Sequence, residues 1–163
     1  MSNIVKGITI SQPYADLIAN LEKFAENRSR KWKYRGPVAI HAGAGTQYMK
    51  PAQMRLENTV TKAIVAVGYV QGCIEMRRFR KAVSKGLEFP LQSNCSGEPK
   101  FEHWLTPKLL LDHKHAVGPY CWIIGGVMKL EQPISINGQQ GIWNVPDNIA
   151  KFLLKELRKD AQA

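Results

Sequence analysis

Ala63-Ile64-Val65-Ala66-Val67-Gly68-Tyr69-Val70-Gln71-Gly72-Cys73 is the stretch that decides the fold class. It is apolar and rich in β-branched residues over the length of a strand, so it predicts a buried strand. Gly68 and Gly72 inside it point to a bulge or bend, as a strongly coiled barrel strand requires. Outward from this run, further strand signals recur. Residues 7–11 (GITIS) alternate, residues 38–42 (VAIHA) run into Gly43 and Gly45, and residues 26–29 read as extended. Residues 120–130 (YCWIIGGVMKL) form a second buried strand, and residues 141–145 (GIWNV) a short last one.

Helical periodicity fills some of the gaps. Pro13 suits a first helical turn, and from Tyr14 the apolar residues Leu17, Ile18, Leu21 and Phe24 make one stripe. Residues 47–58 predict a helix whose start is limited by Pro51. Pro146 and Asp147 open a C-terminal helix carrying Ile149, Phe152, Leu153 and Leu157. Residues 76–117 are the least regular: basic at first, then Gly, Ser and Pro around Cys95, then Phe101-Glu102-His103-Trp104. They predict one long irregular insertion with some helix. The expected fold is α+β, a small β-barrel of about five or six mixed strands with flanking α-helices. Residues 1–163 are expected to form a single domain.

The chain of 163 residues is 44% hydrophobic and 22% charged, which predicts a folded core rather than disorder. Its net charge of +10 is a field that concentrates polyanions. The three cysteines, Cys73, Cys95 and Cys121, form no close pair and suggest no disulfide framework. MSNIVKGITI lacks the marks of a signal peptide, and no stretch approaches the roughly 20 apolar residues that span a bilayer. A soluble protein of the reducing cytoplasm, with no membrane partner, is expected.

Several blocks together carry a resemblance. They are residues 10–15 (ISQPYA), 21–28 (LEKFAENR), 34–37 (YRGP) with 40–42 (IHA), 63–67 (AIVAV), 118–122 (GPYCW) and 141–146 (GIWNVP). In this order they resemble the ASCH domain, a branch of the PUA-like β-barrels. The family's signature is Gly-x-Lys-x-x-Glu-x-Arg; Lys23, Glu26 and Arg28 match it, and Leu21 stands where Gly is usual. The resemblance implies a PUA-like barrel with a cleft beside the first helix, and RNA or modified-nucleoside binding as the general role. Some relatives are thought to cleave RNA or to hydrolyse the amide of an acetylated cytidine. Glu26 departs from that amidohydrolase subgroup, in which Thr holds its place.

Lys23, Glu26 and Arg28 are the first candidates for chemistry. Glu26 and Arg28 share one face of an extended segment because strand side chains alternate. The trio could set an anion clamp and an acid/base pair, Lys23 with Glu26, around a small ligand. The plain alternative is a surface ion-pair cluster at a helix end. Ser11, Gln12 and Tyr14, at the turn into the first helix, are expected on the opposite wall of the cleft. Arg28, Arg30, Lys31, Lys33 and Arg35 interleave with Trp32 and Tyr34, a pattern that pairs phosphates and stacks unpaired bases. The alternative is a solvated loop whose rings cover the barrel end. His41 could line the cleft or satisfy a buried hydrogen bond. Arg77, Arg78, Arg80, Lys81 and Lys85 read either as a phosphate face or as a solvated helix. Cys95, His103, His113 and His115 match no compact zinc spacing, so no metal and no cofactor is expected. The expected role is RNA or nucleotide binding in a basic cleft, or hydrolysis of RNA or a modified nucleoside there.

Overall fold

The computed structural model describes residues 4–54, 59–91 and 104–160. Its strands are β1 (Lys6–Ile10), β2 (Ala25–Arg28), β3 (Gly36–Ala42), β4 (Ala63–Glu75), β5 (Tyr120–Ser135) and β6 (Ile142–Asn144). The helices are α1 (Tyr14–Ala19), α2 (Pro51–Met54), α3 (Met76–Ser84), α4 (Pro107–Asp112) and α5 (Asp147–Asp160). The strands make one six-stranded sheet in the order β2-β5-β4-β3-β1-β6. It is mixed: β1 runs parallel to β3 and antiparallel to β6, and β2 runs antiparallel to β5. A mixed sheet with flanking helices is the α+β arrangement that the strand signals predict, in keeping with the PUA-like barrel that the resemblance implies.

The chain divides into two compact units, and the long strands β4 and β5 contribute to both. The first comprises Met1–Glu22, Pro37–Gly68 and Val127–Ala163. Its buried residues include Ile8 and Ile10 of β1, Ile18 of α1, and Val38 and Ile40 of β3. Gly7 of β1 is there because of Trp143: a Cβ at this position would lie 2.5 Å from the indole of β6. In α5 the buried stripe is Ala150, Leu153 and Leu157, while Phe152 is 45% exposed. The apolar stripe expected through Ile149 and Phe152 is therefore turned toward Ala150.

Helix α1 ends sooner than its apolar stripe suggests. The amide of Glu22 donates to the carbonyl of Leu17 at 2.8 Å, and that of Leu21 to Ile18 at 3.1 Å. Those two bonds are a Schellman cap, which needs a left-handed residue just past the helix. Leu21 occupies that place with φ of 64° and is 72% exposed. The chain turns there, so Leu21 and Phe24 leave the helical stripe.

The second unit comprises Lys23–Gly36 and Tyr69–Gly126. Met76 and Phe79 of α3, Leu110 of α4, Ala25 of β2, and Cys121 and Ile123 of β5 share its core. Among the described residues, 76–117 thus hold two regular helices with buried faces. Thr106 starts α4 by accepting the Leu109 amide at 3.1 Å, with Pro107 in the first turn. Left-handed glycine in the long strands occurs at Gly126 of β5, φ 54°; among the described residues Gly68 and Gly72 are not left-handed. Phe101, Glu102, His103 and Cys95 lie outside the described residues, as does the end of the helix expected over 47–58.

Candidate functional site

Strand β2 is four residues long and pairs with β5 in the register Ala25↔Ile123, Glu26↔Trp122, Asn27↔Cys121 and Arg28↔Tyr120. Alternation puts Glu26 and Arg28 on one face, with the indole of Trp122 opposite Glu26. Lys23, just before the strand, reaches the same carboxylate. Its Nζ donates to Glu26 Oε2 at 2.5 Å, and Arg28 Nη2 lies 3.1 Å from Glu26 Oε1. Lys23 is 3% exposed and Glu26 9%, so this is a buried charge cluster and not a surface ion pair. The Arg28 guanidinium stands 5.4 Å from the centre of the Trp122 ring, within cation–π range. Two cations thus share one carboxylate in a partly desolvated place.

Asn27 faces the other way and was not singled out from sequence. Its Nδ2 donates to the His115 carbonyl at 2.8 Å. Its Oδ1 accepts from the amides of Val117 and Gly118, at 3.0 and 2.8 Å, and from the Cys121 thiol at 3.3 Å. One asparagine therefore ties the 115–121 segment to β2 and holds the strand that carries Glu26 and Arg28. An amide residue inside the Lys-x-x-Glu-x-Arg spacing was the only sequence signal for it. Burial pushes the Cys121 thiol up to about 11, which leaves it protonated and unreactive.

His113 stacks on Phe24, with ring centroids 4.0 Å apart, and its Nε2 accepts the Phe24 amide at 3.5 Å. Burial lowers the pKa values of His113 and His115; His115, Lys23 and Lys114 lower that of His113 further. The two histidine rings are 5.6 Å apart. Among the described residues no three His, Cys, Asp or Glu side chains gather as a metal site.

The basic run after β2 divides by exposure and contacts. Arg30, Lys31 and Lys33 are exposed. Arg35 turns back on its own loop, donating to the carbonyls of Trp32 and Tyr34 at 3.1 and 2.8 Å. Trp32 is 9% exposed, its ring 4.5 Å from Trp122 and 5.0 Å from Tyr34. Trp122 also donates to the Arg30 carbonyl at 3.1 Å, which pins the loop. Tyr34 is half-buried, and burial pushes its phenol up to about 12.

The remaining candidates lie in the first unit. Gln12 is fully buried; its Nε2 donates to the Val60 carbonyl at 2.8 Å, and its Oε1 accepts the Asp16 amide at 3.2 Å. Ser11 accepts the Tyr14 amide through its carbonyl at 3.0 Å, and the Tyr14 ring is 5.6 Å from that of Tyr48. His41 is 1% exposed, with Nε2 donating to the Ile136 carbonyl at 2.8 Å and the ring edge-on to Trp143. Among the described residues no helix is long and apolar enough to cross a membrane.

No protein-family model and no curated protein matches the chain. Solved structures do. An ASCH protein from Zymomonas mobilis superposes with a TM-score of 0.51 and 11% identity, over 96% of each chain. A serine-to-alanine variant of that organism's ASCH protein gives a TM-score of 0.50 and 12% identity, over 93% of this chain and 95% of that one. A tyrosine-to-phenylalanine variant gives 0.50 and 12%, over 93% and 96%. At such identity the likeness speaks for the backbone alone: the chain has an ASCH-like fold.

Proposed function

We propose that this protein binds RNA or a nucleotide through the face of β2 that carries Glu26 and Arg28. The observation that supports this most is the buried cluster itself. Glu26 engages Lys23 through one oxygen and Arg28 through the other, so a carboxylate and two cations are gathered in one partly desolvated place. Charged groups gathered and desolvated in this way are costly to a fold and recur at sites that bind polar or anionic ligands. Arg28, the most exposed of the three at 27% of its side chain, is the group that meets the ligand. Exposed Arg30, Lys31 and Lys33 continue the positive track from the strand end. Trp32 acts from below, as packing under Tyr34 and beside Trp122.

A second reading, hydrolysis of RNA or a modified nucleoside, draws on the 2.5 Å contact between Lys23 and Glu26. A proton can pass between an ammonium and a carboxylate so placed, as acid/base catalysis requires. Fluorescence anisotropy of a labelled single-stranded RNA, with product analysis of the same mixtures, tests both. Arg28→Ala should weaken binding about tenfold or more, the range of a lost charged hydrogen bond. Unchanged affinity in Arg28→Ala would remove the binding role of this face. Product formed by the native protein and lost in Lys23→Ala would make it an enzyme.

A further inference from the structure

A separate cleft of about 550 Å³ opens in the second unit beside α3. The spacing of α3 builds one of its walls. Met76, Phe79 and Val83 turn to the core, while Arg78, Lys81 and Lys85, three and four residues apart, line the cleft. The basic run is thereby sorted. Arg80 donates to the carbonyls of Val117 and Ala116 at 3.1 and 2.8 Å, and Arg77 is exposed outside the cleft.

The opposite wall comes from the end of α3. The Leu87 amide donates to Ala82 at 3.0 Å and the Gly86 amide to Val83 at 2.9 Å, with Gly86 at φ 64°. This second Schellman cap swings residues 87–90 back beside the helix. Phe89, held edge-on to Phe79 at 5.3 Å, brings an aromatic ring to the cavity. Lys31 adds a fourth cation, and Glu75 and Glu88 supply two carboxylates. Among the described residues none of the four cations is ion-paired.

We propose that this cleft is a nucleotide site distinct from the Lys23–Glu26–Arg28 cluster. Arg78, Lys81 and Lys85 hold the phosphates, Phe89 packs the base, and Glu88 and Glu75 accept from ribose hydroxyls or base amines. The volume lies in the range of small-ligand pockets. The mixed lining separates a nucleotide from bare phosphate: cations alone would serve phosphate, but an aromatic wall and carboxylate acceptors match a sugar and a base. The ligand class rests on the function proposed above; the place does not.

Calorimetric titration of the full chain at low salt tests the proposal, using uridine 5′-diphosphate, uridine, inorganic pyrophosphate and a short oligouridylate. The diphosphate should bind at least tenfold tighter than uridine or pyrophosphate. Lys81→Ala with Lys85→Ala should weaken it at least tenfold with an unchanged melting temperature, since both side chains are exposed. Arg77→Ala should change it less than twofold. Oligouridylate affinity falling in parallel marks the strand as the phosphate source; diphosphate affinity alone falling marks the free nucleotide. Pyrophosphate binding as tightly as the diphosphate, or Arg77→Ala weakening it as much as the double variant, overturns the site in favour of a general charge field. An equal loss in Arg28→Ala overturns its separateness, and a loss of RNA binding confined to Arg28→Ala leaves it standing.

Discussion

Lys23 and Glu26 meet at 2.5 Å at a point where the lysine is 3% exposed, and Arg28 closes the other side of the same carboxylate. Removing one partner of such a pair leaves charge in a desolvated place, at a cost of about 3–5 kcal/mol. Glu26→Gln keeps the shape and removes the charge, so a destabilisation near the lower end, about 3 kcal/mol, is expected in urea unfolding. Adding Lys23→Met should recover about 1 kcal/mol or more, read as the coupling energy of a double-mutant cycle. Additive losses would show that the two residues do not depend on each other.

Leu21 and Gly86 occupy the same place in two Schellman caps, both with φ of 64°. A branched residue in the left-handed region costs about 1–2 kcal/mol, partly offset by the greater freedom of glycine in the unfolded chain. Leu21 is 72% exposed and forfeits little packing if removed. Leu21→Gly should therefore stabilise the protein by up to about 1 kcal/mol, visible as a higher denaturant midpoint. Destabilisation would mean that the exposed leucine makes contacts worth more than the strain.

His113 and His115 are held below the usual histidine pKa, first by burial. The unfolded chain then binds more protons than the folded one below about pH 6.5. Stability is complete above that pH and is lost as pH falls toward the folded pKa values. Protonated His113 also can no longer accept the Phe24 amide at Nε2. Melting temperature should fall between about pH 7 and 5. His113→Gln, which keeps an acceptor and does not titrate, should flatten that fall; an unaltered slope would place the pH dependence elsewhere.

Salt dependence separates the exposed cations from the committed one. Arg30, Lys31 and Lys33 are exposed, while Arg35 is spent on the carbonyls of Trp32 and Tyr34. At about 0.7 per neutralised phosphate on a single strand, the three give a slope of about −2 in log affinity against log salt. Arg35→Ala should lower the melting temperature and leave that slope unchanged. A shallower slope in Arg35→Ala would make it a phosphate contact.

The amino-acid sequence by itself located the strands, because β-branched runs, alternation and breaking glycines and prolines act over a few neighbours. Residues 7–11, 38–42 and 63–73 fall on β1, β3 and β4, and residues 26–29 overlap β2. It also brought Lys23, Glu26 and Arg28 to notice, since their spacing is local. The end of α1 was illegible because leucine hides a turn that glycine would have announced. The fates of Trp32, Asn27 and Arg80 depended on partners far along the chain: Trp122, residues 115–121, and the carbonyls of 116–117. Only the pairing of β2 with β5 decides that Glu26 is buried against Trp122. A side chain's spacing is set by its neighbours in sequence, but its solvent, and so the worth of its charge, is set by whatever distant segment packs over it.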